Sequence, residues 1–185
     1  MTGWWRRCTP PRTYIPYMPR VPAQTLPDSA RVWVFGADRA LEATEAERLL
    51  GAVDTFLDGW AAHGELLTSA RELRDGRFLM IAVDTRQAAA SGCSIDALFR
   101  ALQDLERELG FSILGGGRVY WRDPSRAITC VQRADAGDAV AAGDLTPDTV
   151  VFDPAVDTLG AWRTRFETRA SDSWHAALLG AANPA

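Results

Sequence analysis

The chain is expected to fold as an α+β protein with a ferredoxin-like βαββαβ sandwich, one additional strand and a C-terminal extension that wraps the sheet. Three observations lead there. Strand-like and helix-like segments follow one another in the order β-α-β-β-α-β between residues 31 and 121. Two of the strands, Arg31-Val32-Trp33-Val34-Phe35 and Phe78-Leu79-Met80-Ile81-Ala82-Val83, are apolar at successive positions, so both of their faces need cover. The segment between them, residues 65–74, is more polar, as an edge strand should be. On this reading the first and third strands form the central pair and are expected to run parallel.

Taken in order, residues 1–28 hold six of the ten prolines and no periodic pattern, which predicts an unstructured lead-in. Arg6-Arg7 is not followed by the apolar run that a secretion signal needs, and the change in composition after Met18 makes that residue an alternative to Met1 as the natural start. Residues 29–185 are expected to form one domain, with a core at 31–132 and an extension at 133–185. A helix is predicted over residues 44–63: Thr44 caps it, Glu47 completes a capping box, and Leu49, Val53, Phe56, Leu57 and Trp60 share one stripe. Gly64 is placed to end it, with His63 in the last turn. Asp75-Gly76 predicts a tight hairpin turn between the second and third strands.

A second helix is predicted over residues 94–109, where Ile95, Leu98, Phe99, Leu102, Leu105 and Leu109 form a stripe that Gly110 terminates. Residues 118–121 and 127–131 are expected to pair across an Arg-Asp-Pro-Ser turn. A short alanine-rich helix over 134–142 and a strand over 149–152 follow. Because a ferredoxin-like sandwich leaves one sheet face bare, the extension carrying Leu159, Trp162, Phe166 and Trp174 is expected to cover it, with a second copy of the chain as the alternative.

Composition excludes several functions. With 185 residues, 47% hydrophobic and 24% charged, the chain can build one globular core. A formal charge of −4 gives no field to attract nucleic acid, and no window approaches the apolar length of a membrane span. All 20 basic residues are arginine, so a P-loop lysine and a Schiff-base lysine are both absent. Cys8, Cys93 and Cys130 are too widely spaced for a disulfide framework or a zinc site, which fits a reducing cytoplasm; no cofactor or metal is expected.

Chemistry is conceivable at one stretch, Ala90-Ser91-Gly92-Cys93-Ser94-Ile95-Asp96, which leads into the second helix. A cysteine at a helix N-terminus meets unpaired amides and a favourable dipole, so Cys93 is a candidate nucleophile or redox thiol. Against this stand the acidic neighbours Asp84 and Asp96, and the expected position of His63 at the far sheet edge, roughly 20–30 Å away. Ser91, Gly92, Cys93 and Ser94 could instead cradle a small anion or nucleotide phosphate, with Arg39 and Arg86 as nearby cations. Asp38, Asp84 and Asp96 are expected at the same edge. The plainer reading, a tight strand-to-helix junction with Ser94 as N-cap, outweighs both.

Residues 26–34, 60–64, Arg77-Phe78, Val83-Asp84, 90–96, 149–152 and Ser173-Trp174 together resemble a family of uncharacterised bacterial cytosolic proteins whose members often carry the label "ABC transporter ATPase". The Ser-Gly-Cys-Ser-Ile-Asp run is the most specific part of the likeness. The resemblance implies no established activity and lends no catalytic residues, and the label conflicts with the absence of any Walker A lysine. A non-enzymatic interaction or accessory domain, with a protein partner or self-association, is therefore the leading functional expectation. A thiol-dependent enzyme or redox sensor at Cys93, and anion binding at Ser91 to Ser94, are the alternatives.

Overall fold

Six consecutive buried residues, Phe78 to Val83, define the strand around which the first sheet forms. The computed structural model describes residues 20–86 and 90–181. In it this strand, β5 (Phe78–Val83), lies between β1 (Arg31–Gly36) and β4 (Ser69–Arg74), antiparallel to both. Leu79, Ile81 and Val83 point to one face and meet Leu49, Val53 and Leu57 of helix α1 (Ala43–Asp58) and Leu98 and Leu102 of helix α2 (Gly92–Leu109). Phe78, Met80 and Ala82 point to the other face, where the cover is a second sheet.

That second sheet has four strands in the order β7-β6-β8-β9: β6 (Arg118–Arg122), β7 (Ile128–Gln132), β8 (Val150–Phe152) and β9 (Glu167–Arg169). Tyr120 and Phe152 face the first sheet; Val119, Trp121 and Val151 face outward and are covered by α3 (Ala136–Ala142) and α5 (Ala176–Ala181). The layers thus run helices, sheet, sheet, helices. Helix α4 (Leu159–Thr164) delivers Trp162, and the chain just beyond it Phe166, into the seam between the sheets.

The molecule is α+β with open antiparallel sheets, but the expected central parallel pair does not occur. The crossover through α1 returns β4 parallel to β1, and the Asp75-Gly76 turn then reverses the chain, so β5 inserts antiparallel between them. Both turn residues take positive φ (54° and 59°), and the Arg77 N–H closes the turn on the Arg74 carbonyl at 3.0 Å. The expected fourth strand, β6, joins the second sheet instead. As a result β1 is an edge strand and not a central one.

Three further expectations are corrected. Residues 20–28 are part of the fold: Val21 donates to the Ser69 carbonyl, and Ala23 and Leu26 are buried between the sheets; the expectations for residues 1–19 lie outside the described residues. Helix α1 ends at Asp58, and a two-strand hairpin, β2 (Ala61–Ala62) with β3 (Glu65–Leu66), follows. His63 and Gly64 form its turn with φ of 53° and 84°, so neither belongs to the helix. The capping partners of α1 are Glu42 and Glu45, two residues earlier than the expected Thr44 and Glu47, with the Glu45 carboxylate accepting the Glu42 N–H at 2.9 Å. Of the extension residues expected over the bare face, Leu159, Trp162 and Phe166 are there, whereas Trp174 packs on the outer face of the second sheet.

The two sheets are pinned together by adjacent residues. Phe78, fully buried, contacts the rings of Tyr120, Phe152 and Phe166 with centroids 4.8–5.0 Å apart. Arg77, also buried, donates to the carbonyls of Ala37 (3.0 Å) and Asp38 (2.5 Å) after β1, and to that of Ile128 in β7. The Tyr120 hydroxyl donates to the Gly36 carbonyl at 2.6 Å; a Cβ at residue 36 would lie 2.5 Å from that oxygen, so only glycine admits this contact.

Phe78→Ala is expected to cost about 3–5 kcal/mol, read as a fall in the denaturant midpoint, because no neighbour can close the space left among three rings. A second expectation concerns His175, which is fully buried with its Nδ1 on the Ser173 hydroxyl (2.8 Å) and, among the described residues, no partner for Nε2. Burial pushes its pKa down to about 4, against the opposing pull of Asp153 and with a further push from Arg133. The unfolded chain, with an ordinary value of about 6.5, binds the proton first on acidification, so stability is full above pH ~6.5 and falls by roughly 2–3 kcal/mol towards pH ~4. His175→Asn is expected to flatten that slope between pH ~6.5 and ~5; an unchanged slope rejects the assignment.

Candidate functional site

The stretch singled out in the sequence sits where β5 hands over to α2. Ser91, not Ser94, is the N-cap: its hydroxyl accepts the Ser94 N–H at 3.3 Å, and the Ser94 hydroxyl donates back to the Ser91 carbonyl at 2.9 Å. Gly92 and Cys93 are therefore the first helical residues, and Cys93 is exposed. The buried Trp60 indole donates to the Ser94 carbonyl at 2.9 Å and ties the end of α1 to the start of α2.

This tie overturns the expected separation of His63 from Cys93. With β5 antiparallel to β1, the chain leaves α1 and enters α2 at the same end of the sheet, and His63 and Cys93 line one shallow groove of about 620 Å³ with Phe56, Trp60, Ser91 and Ala97. The same reversal removes Arg39 from the proposed anion cradle, because Arg39 follows β1 and lies at the opposite end. There its guanidinium grips Glu45 through two bonds of 2.7 Å and, with the Glu42 amide, holds that carboxyl down to about 2. Arg86 is likewise engaged by Asp84, whose carboxyl it holds below the usual carboxylate range. Asp38 and Asp84 are at opposite ends of the sheet for the same reason, and among the described residues no group of three or more His, Cys, Asp or Glu could hold a metal ion. Cys130 lies on β7 with the Arg77 guanidinium 3.1 Å from its sulfur, and Cys8 lies outside the described residues.

A second groove, of about 380 Å³, runs along the outer edge of β1 and was not anticipated. One wall is Phe99 of α2 with the 113–117 loop; the other is the 154–157 loop; the floor is β1 with Tyr120 beneath. Phe99 is 37% exposed, one of two large apolar side chains so open among the described residues, and it meets Phe35 edge to face at 5.5 Å. Both walls are held. The Asp153 carboxylate accepts the Ala155 N–H (2.9 Å) and the Trp174 indole (2.8 Å), and a Cβ on Gly115 would strike Ser112 and Arg118 at 2.7–2.8 Å.

Alternation along β1 decides which backbone groups face this groove. The Val32 N–H points outward and is taken by the Asp157 carbonyl at 2.9 Å; the Gly36 carbonyl points outward and is taken by Tyr120. Val34, between them, shares their orientation, so its N–H and C=O open into the groove while Trp33 and Phe35 pair with β5. Patterning could not reveal this edge, since a strand buried on both faces reads the same whether or not a neighbour flanks it.

Comparison with protein families, with curated proteins and with solved structures finds no match to this chain.

Proposed function

We propose that this protein is a non-enzymatic interaction domain that holds an extended segment of a protein partner along the open edge of β1. The observation that carries the proposal is Val34: one N–H and one C=O, directed into a walled groove at the place where a βαββαβ sheet would carry its fourth strand. An added strand would pair with Val34 and lay side chains against Phe99 and Tyr120. Exposed edges invite such pairing, and the blocks at Val32 and Gly36 restrict it to a short stretch. The net charge of −4 and the free thiols of Cys93 and Cys130 fit a protein partner in a reducing cytoplasm. Kinship with the uncharacterised bacterial proteins remains part of this proposal and adds no catalytic role.

Panning a random library of peptides about a dozen residues long is expected to enrich binders to the protein that Val34→Pro abolishes. Proline removes the outward N–H without touching the ladder to β5, so the variant keeps its circular dichroism and cooperative unfolding. In the unmutated protein the same contact is read independently, as slowed amide exchange at Val34 on peptide binding. Enrichment that persists in Val34→Pro, or no enrichment at all, removes the proposal.

A thiol-dependent activity at Cys93 is the second reading, favoured by the shared groove with His63. If His63 serves as its base, His63→Ala should slow alkylation of Cys93 at least tenfold while the rate at Cys130 is unchanged. Equal Cys93 rates in both proteins dispose of it.

A further inference from the structure

We infer that the segment accepted by the β1 groove is acidic, with carboxylate side chains towards both of its ends. The inference rests on the docking proposal above and adds the chemistry of the partner. Arg31 opens β1 at one end of the groove, exposed, with its guanidinium over the Trp33 ring at 4.8 Å. Arg118 marks the other end: it donates to the Gly115 carbonyl (2.6 Å) and the Ser112 hydroxyl (3.0 Å), and the Ser112 carbonyl accepts the Asp38 N–H just beyond β1.

Among the described residues neither arginine has a carboxylate within ion-pair distance; ten of the others do, and Arg77, Arg100, Arg126, Arg133 and Arg165 also lack one but do not line this groove. The groove is lined by two arginines and one acidic residue, Asp157. Two cations without acidic partners, one at each end of a groove with an apolar middle, suit an extended peptide with alternating apolar residues and acidic ends. Charges at the ends of a groove, Arg31 exposed and Arg118 half-buried, discriminate between partners and speed encounter more than they add affinity.

A second copy of the chain suits the groove less well. Pairing β1 with itself antiparallel about Val34 brings the Arg31 end of each copy against the Arg118 end of the other, and the two walls keep the recessed strands apart.

Two capped, dye-labelled peptides test this, each about seven residues of alternating valine and threonine, one with glutamate and one with lysine at both ends. Titrated by fluorescence anisotropy at low salt, the glutamate peptide is expected to bind at least tenfold tighter, about 1.4 kcal/mol. The gap should close in about 0.5 M salt and in Arg31→Glu, which leaves the fold's hydrogen bonds intact. Equal affinities, or preference for lysine, overturn the acidic class; if Val34→Pro then loses both peptides, the docking proposal itself survives. Binding of neither peptide at about 1 mM overturns the inference, a weak interaction being measurable there, while the library result judges docking separately. A micromolar dimer in sedimentation that Val34→Pro dissolves would assign the edge to a second copy and overturn it as well.

Discussion

The buried seam between the two sheets is the contact on which the rest of this structure depends. Arg77 and Phe78, neighbours in sequence, serve it in different ways. Phe78 supplies apolar area among three aromatic rings, which is favourable but not directional. Arg77 supplies direction: its guanidinium is fixed by carbonyls from the end of β1 and from β7, so it sets how the sheets register. A buried guanidinium without a carboxylate costs desolvation energy, offset here only while all its donors are satisfied. Any change that separates the sheets therefore exposes a charge as well as a core.

Placement of β6 in the second sheet has two consequences. It gives the inner face of the first sheet a cover of Tyr120, Phe152 and Phe166, which helices alone would not provide. It also leaves β1 without an outer neighbour. The protein shields most of that edge with Asp157 at one end and Tyr120 at the other, and leaves Val34 between rigid walls. Covering by loops is one of the ways an edge strand is protected, and here it stops short of Val34, so the gap between two held loops is the feature that most suggests use.

Much of the local structure was legible. The Asp75-Gly76 turn, the stripe and Gly110 stop of α2 and the β6-β7 hairpin follow from short-range patterns of turn chemistry and period, and the role of Trp162 and Phe166 as cover from the apolar second face of the strands that something had to bury. The end of α1 did not follow: the apolar stripe continues through Trp60, yet His63-Gly64 forms a hairpin turn, because Trp60 is held by the start of α2 and not by its own helix. Residues 20–28 read as disordered because prolines abolish periodicity, but Ala23 and Leu26 are ordered by a surface from distant parts of the chain. The Cys93 stretch was found, while its neighbours were misassigned with the direction of β5.

The sequence by itself determined which residues are apolar on both faces, where the chain turns and which stretch begins the second long helix, since these depend on interactions within a few residues. Its helical crossover and Asp75-Gly76 hairpin already imply an antiparallel β5, against the parallel pairing expected, but nothing in it determined which strand would flank β1. Burial of both faces tells a strand that it is covered above and below, not what lies at its sides. Only the tertiary structure decided that β6 joins the second sheet, which left the edge at Val34 open, and that the α1–α2 junction brings His63 and Cys93 into one groove while Arg39 lies at the other end.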